Sequence, residues 1–189
     1  MRRLLHAEIQ STRLEEAEAA MPTGRFPVIA ILDNIRSLYN VGSIFRTSDG
    51  ARIEALFTTG YTPHPPRQEI EKTALDATRT IPNQHFDTVA EAIVEAKKRG
   101  FHIAALELTE QSRSVYDLKQ SDFPLAIVIG NEITGVSDEA LQRCDLAISL
   151  PMLGAKHSLN VAVAYGAALY QCVSVFQHEL DRFIPVSKT

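Results

Sequence analysis

Apolar residues along this chain fall in short runs, unbroken at residues 28–32 and 125–129 and predominantly apolar at 55–59, 102–106 and 146–150. Each run is bounded by polar stretches that contain Gly, Pro or Asn. Unbroken apolar runs of this length, rich in branched residues, mark strands buried on both faces rather than the alternating pattern of a half-exposed sheet. Helices are predicted between them. One spans residues 40–48 and is closed by Gly50. A second opens on a Thr88/Glu91 capping box and ends at Gly100. A short one covers 137–144, and a long apolar one runs from Ser158, its expected N-cap, to about Gln177. At the front, residues 4–20 contain no Gly or Pro and are rich in Leu, Ala, Glu and Arg, which predicts a helix ended by Met21-Pro22-Thr23-Gly24. Residues 61–67 hold Pro63, Pro65 and Pro66 and predict a stiff loop.

Strands and helices that alternate in this way predict an α/β fold, a mostly parallel sheet flanked by helices, with ligands at the carboxyl ends of the strands. The expected division is a helical arm over 1–26 and one globular domain over 27–189. Cys144 and Cys172 lack metal-ligand spacing and lie in apolar-periodic stretches, so they read as buried thiols of a reducing compartment. No apolar run reaches the roughly 18 residues needed to span a bilayer. Glu8, Glu15 and Glu16 interrupt the region where a signal peptide would be apolar, so a cytoplasmic protein without membrane attachment is expected. The net charge of −4 argues against indiscriminate nucleic-acid binding. Residues 1–67, however, carry eight Lys/Arg against seven Asp/Glu, which leaves room for a local basic surface.

Candidate chemistry sits in three polar segments, each directly after an apolar run. In the first, Asn40, Gly42 and Arg46 are spaced so that the Gly allows close approach and the Arg offers a planar fork for phosphate or carboxylate. Alone, it reads at least as readily as a capping Asn, a packing Gly and a solvated Arg. The second, Gly130-Asn131-Glu132-Ile133-Thr134-Gly135, sets two glycines around a carboxylate and matches neither a dinucleotide fingerprint nor a P-loop. The third runs from Leu150 to Asn160. There Asn160 stands at the start of an otherwise apolar helix, and a buried amide must tie loops together or meet a ligand. His157 beside Ser158 does not make a hydrolase dyad, because adjacent residues seldom face each other. Together the three segments predict one nucleotide-like site.

Asn40-x-Gly42-x-x-x-Arg46, Gly130-x-Glu132-x-x-Gly135 and Leu150-Pro151-Met152 leading to Ser158-Leu159-Asn160 resemble, in order, the three motifs of the SpoU (TrmH-like) RNA 2′-O-methyltransferases of the SPOUT class. The resemblance covers residues 28–177 and implies a C-terminal trefoil knot. It also implies an S-adenosylmethionine site with contacts at Leu106, Gly130, Leu150 and Leu159, and catalytic roles for Arg46, Asn40, Glu132, Ser158 and Asn160. It implies a homodimer in which Arg46 reaches the partner's site. The helix face of Tyr165, Leu169, Val173 and Phe176 then serves either that interface or the core. Only the 4–20 helix precedes the domain, where many ribosomal-RNA members carry a separate substrate domain, so a tRNA substrate is favoured over rRNA. The rival readings are methylation of a base nitrogen and a non-catalytic RNA-binding protein on the same scaffold.

Overall fold

A computed structural model describes residues 24–176. The helix expected at 4–20, most of the 1–26 arm and the chain beyond 176 lie outside the described residues. Seven strands, β1 (Phe26–Asp33), β2 (Ile53–Thr59), β3 (Asn83–Phe86), β4 (His102–Leu106), β5 (Arg113–Ser114), β6 (Leu125–Ile129) and β7 (Leu146–Ser149), form one sheet in the order β3-β2-β1-β6-β4-β7-β5. Every pairing is parallel, so all carboxyl ends share one edge. The helices are α1 (Leu38–Gly50), α2 (Gln68–Ala74), α3 (Ala77–Thr80), α4 (Val89–Lys98), α5 (Asp138–Leu141) and α6 (Val161–Val175).

The unbroken apolar runs follow from burial on both faces. Val28, Ala30 and Leu32 of β1 join one core cluster with Ile44 and Phe45 of α1 and Tyr165 and Leu169 of α6. The alternate residues Ile29 and Ile31 join the other, with Ala92, Ile93 and Ala96 of α4 and Ala140 of α5. Each buried Ile, Leu or Phe contributes about 1.5–3 kcal/mol, so neither face of β1 tolerates a polar residue cheaply. The helix face of Tyr165, Leu169, Val173 and Phe176 therefore belongs to the core: the first two are fully buried and the others pack on the same cluster. The exposed apolar positions of α6 are instead Val163 and Tyr170. Cys144 and Cys172 are free, and burial pushes each thiol up to about 12.

The Thr88/Glu91 capping box forms as expected, with both reciprocal hydrogen bonds at 3.3 Å. Other boundaries differ. α1 starts earlier because the Ser37 hydroxyl caps it, accepting from the Asn40 N–H at 3.3 Å, so Asn40 lies inside the helix. The N-cap of α6 is Asn160, not Ser158: its Oδ1 accepts from Ala162 N at 3.0 Å and Val163 N at 3.4 Å, and Ser158 stays in the preceding loop. β7 stops at Ser149, which frees Leu150 into that loop. Gly42 admits a helix rather than a ligand, since a Cβ there would fall 2.0 Å from Thr73 Oγ1 and 2.4 Å from the Ile70 carbonyl of α2.

Candidate active site at the carboxyl edge of the sheet

Three loops meet where β4, β6 and β7 end. They enclose a cleft of about 570 Å³ lined by Leu106–Thr109, by Ile129–Val136 and by residues between Ser149 and Ala164. The fold puts them side by side because β4 pairs with both β6 and β7, so consecutive turns at one edge converge. The middle loop is folded tightly on itself, with Asn131 and Gly135 exchanging backbone hydrogen bonds at 2.9 Å in both directions. Gly135 has φ +72°, and a Cβ on it would fall 2.3 Å from Glu107 Oε2, so this corner needs glycine. Glu107, at the end of β4, locks the loop by accepting from Val136 N at 3.0 Å. Asp33, buried at the end of β1, does the same through Ser137 N at 2.9 Å.

All four expected cofactor contacts, Leu106, Gly130, Leu150 and Leu159, line this cleft, as do Glu132, Ser158 and Asn160. Asn40 does not line it but is tied to residues that do. Its Nδ2 donates to Glu132 Oε1 at 2.8 Å, and its Oδ1 accepts from Asn160 Nδ2 at 3.1 Å. Glu132 accepts further from Arg36 N at 3.0 Å and Ser37 N at 3.1 Å. Partial burial opposes the charge on Glu132, yet the N–H of Arg36, the Asn40 amide, its own N–H and that of Ser37 hold its carboxyl below the usual range. An ionised carboxylate can only accept, so Asn40 must present its NH₂ to Glu132 and its carbonyl to Asn160. Asn160 in turn gives its own oxygen to the first amides of α6. The hydrogen bonds thus run in one direction, from the start of α6 through both amides to the carboxylate, and clamp α1, the β6 loop and α6 together.

Asn160 is solvent-exposed rather than buried, because its whole loop, residues 151–160, is exposed. Its amide still ties loops together, as a polar group there was expected to do. Ser158 lies exposed at the cleft and makes no hydrogen bond among the described residues. Arg46 stands apart from the cleft on the solvent side of α1, without a charge or hydrogen-bond partner among the described residues. Sequence reasoning missed Glu107 and Asp33, although a carboxylate directly after an apolar strand was a readable signal for each.

A parallel α/β sheet whose loops enclose a cleft at its carboxyl edge is the architecture in which such proteins bind their ligands. Comparison with known proteins narrows this. Residues 27–170 match the model of the SpoU rRNA methylase family, and the chain belongs to that family. A Staphylococcus epidermidis protein named for the TrmH family of tRNA/rRNA methyltransferases is 32% identical over 157 residues, covering 83% of this chain and 62% of its own length. The chain thus spans about three-fifths of that relative. The crystal structure of an A. aeolicus TrmH/SpoU tRNA-modifying enzyme superposes with a TM-score of 0.76 at 28% identity, covering 93% of this chain and 86% of its own. The SpoU methyltransferase AviRb of Streptomyces viridochromogenes superposes at 0.72 with 25% identity over 80% of this chain and 60% of its own, and has also been crystallised with AdoMet.

Proposed function

We propose that this protein transfers the methyl group of S-adenosylmethionine to a ribose 2′-hydroxyl of structured RNA, tRNA before rRNA, as a knotted homodimer. The observation that carries the reading is the Glu132–Asn40–Asn160 clamp, which joins residues of all three motifs beside one cleft. The 2′-hydroxyl as acceptor rests on Ser158-Leu159-Asn160, and the tRNA preference on the A. aeolicus relative.

The cleft fits the cofactor. Its 570 Å³ lies within the roughly 300–1,000 Å³ of small-molecule sites, and apolar Leu106, Ile129, Leu150 and Leu159 line it together with polar residues. Leu106, Gly130, Leu150 and Leu159 would hold the nucleoside through main-chain atoms. S-Adenosylmethionine supplies a methyl carbon already activated by its sulfonium, so the protein contributes mainly orientation. Glu132 suits a positioning role better than that of a base, because its carboxyl is held low and three donors already engage it. Arg46 offers a planar cationic fork rather than a base. It suits the neighbouring phosphate and the developing alkoxide. Its distance from its own cleft fits an Arg46 that serves the partner subunit. Leu153, 99% exposed, and the exposed Val163 and Tyr170 are apolar surface that a second copy would cover.

Calorimetry with S-adenosylmethionine, followed by incubation of the labelled cofactor with total RNA from cells lacking the gene, tests the reading. Label retained in alkali-resistant dinucleotides is expected, because a 2′-O-methyl group blocks hydrolysis. Label released with mononucleotides would mean base methylation. Absence of cofactor binding would mean a non-catalytic RNA-binding protein.

A further inference from the structure

Tyr61 lies just beyond the carboxyl end of β2 and is joined through its hydroxyl to Asn131, which lines the cleft. The residue is 62% exposed, yet its hydroxyl and its backbone N–H are both engaged. Its N–H donates to Asn34 Oδ1 at 3.2 Å, and its hydroxyl oxygen accepts from Asn131 Nδ2 at 2.9 Å. Asn131 is itself buried and committed, donating also to the Asn34 carbonyl at 2.7 Å and accepting from Ile133 N at 2.9 Å and Thr134 N at 3.2 Å. The next residue, Thr62, is buried and bridges the Leu32 carbonyl at 3.1 Å and Ile35 N at 3.0 Å. The other exposed tyrosines, Tyr39, Tyr116 and Tyr170, have no hydroxyl hydrogen bond among the described residues. The hydroxyl anchor sets Tyr61 apart from these, because it orients a ring that would otherwise sample several rotamers. Here the hydroxyl is anchored while most of the residue stays accessible to solvent.

We infer that Tyr61 is a preformed stacking platform for a nucleobase of the RNA substrate, that of a nucleotide flanking the methylated one. The inference rests on the RNA methyltransferase reading of the adjoining cleft. Position carries it: the hydroxyl is anchored on Asn131, which lines the cleft and immediately precedes Glu132 of the clamp. A ring already held in place loses little rotamer freedom when a base stacks on it, and stacking on aromatic side chains is the general means of holding unpaired bases. The exposed Arg36, whose N–H sits on Glu132 of the clamp, supplies a cation for an adjoining phosphate.

The test uses the full chain and its Tyr61→Ala, Tyr61→Leu and Tyr61→Phe variants, with total RNA from cells lacking the gene as acceptor. Loss of the ring is expected to raise KM for RNA on the order of 10-fold, with kcat and cofactor affinity changing far less, while Tyr61→Phe, which keeps the ring but loses its anchor on Asn131, raises KM by less than the Ala and Leu variants. In parallel, the same RNA substituted with 4-thiouridine is irradiated with wild-type protein and S-adenosylhomocysteine. A crosslinked peptide carrying the nucleotide on Tyr61 is expected, and a purely structural tyrosine would give none. An unchanged KM in both the Ala and Leu variants overturns the platform. So does a crosslink map that omits Tyr61, or a change of oligomeric state in the variants that places the ring between copies. Wild-type protein that transfers no methyl group overturns the methyltransferase reading instead, and the crosslink then still decides whether RNA lies on Tyr61.

Discussion

Replacing Glu132 by Gln tests the clamp directly, because the substitution keeps size and shape while converting one acceptor oxygen into a donor. Glu132 receives the Arg36 and Ser37 N–H groups at 3.0 and 3.1 Å and the Asn40 amide at 2.8 Å. Whichever way a Gln amide turns, its NH₂ confronts at least one of these donors. A hydrogen bond to a charged acceptor contributes about 1.5–3 kcal/mol, and the low end applies here because water can rehydrate the orphaned N–H at this exposed position. The expected loss is about 1.5 kcal/mol, or a Tm lower by about 3–6 °C for a chain of this size. The pH dependence identifies the cause. The folded carboxyl is held below its ordinary value, so its stabilisation is fully present above the unfolded Glu pKa of about 4.3 and is lost as pH falls through the lower folded value. Urea unfolding of both proteins from pH 8 down to the acid limit of the fold should give a constant gap above pH 5 that closes below it. A gap under about 0.3 kcal/mol, or one that persists undiminished in acid, would refute the clamp as a charged acceptor network.

Three further outcomes follow from the geometry. Arg46→Ala should unfold like wild type, since Arg46 has no partner among the described residues, yet abolish methyl transfer; Arg46→Lys should also lose most activity, and a Lys variant within a few-fold of wild type counts against the planar-fork role. A purified heterodimer of Arg46→Ala and Asn160→Ala chains should regain about half of wild-type activity, because a twofold interface gathers both lesions in one site and spares the other; an intact heterodimer with none shows self-contained subunits. Gly42→Ala should cost about 1–3 kcal/mol in chemical denaturation, because its Cβ would lie 2.0 Å from Thr73 Oγ1 and 2.4 Å from the Ile70 carbonyl; an unchanged midpoint means that α2 moves aside freely.

The sheet was legible because its strands are buried on both faces, and burial leaves a continuous apolar record in 28–32 and 125–129. The short edge strands β3 and β5 were not. β3 reads Asn-Gln-His-Phe, largely solvent-facing and without apolar pattern, and is a strand only because β2 offers it a ladder. α2 and α3 were missed for a related reason: seven and four residues are too few to show a helical period. In the site, motif spacing located Asn40, Glu132 and Asn160 but not the hydrogen bonds joining them, which connect positions 92 and 120 residues apart. The choice of Ser158 as cap failed by two residues because Ser and Asn cap about equally well, and only the path of the exposed loop decides between them.

The clamp also orders the molecule in time. Asn40 is made early in synthesis, and the amide that completes its hydrogen-bond chain comes from Asn160, 120 positions later. A contact of such separation carries the entropic cost of closing the long loop between its partners. A nascent chain that has laid down β1, α1 and β2 holds the whole first motif and still has no site. The clamp therefore closes only with the arrival of α6, and a chain truncated before it would present half a clamp with nothing to close it.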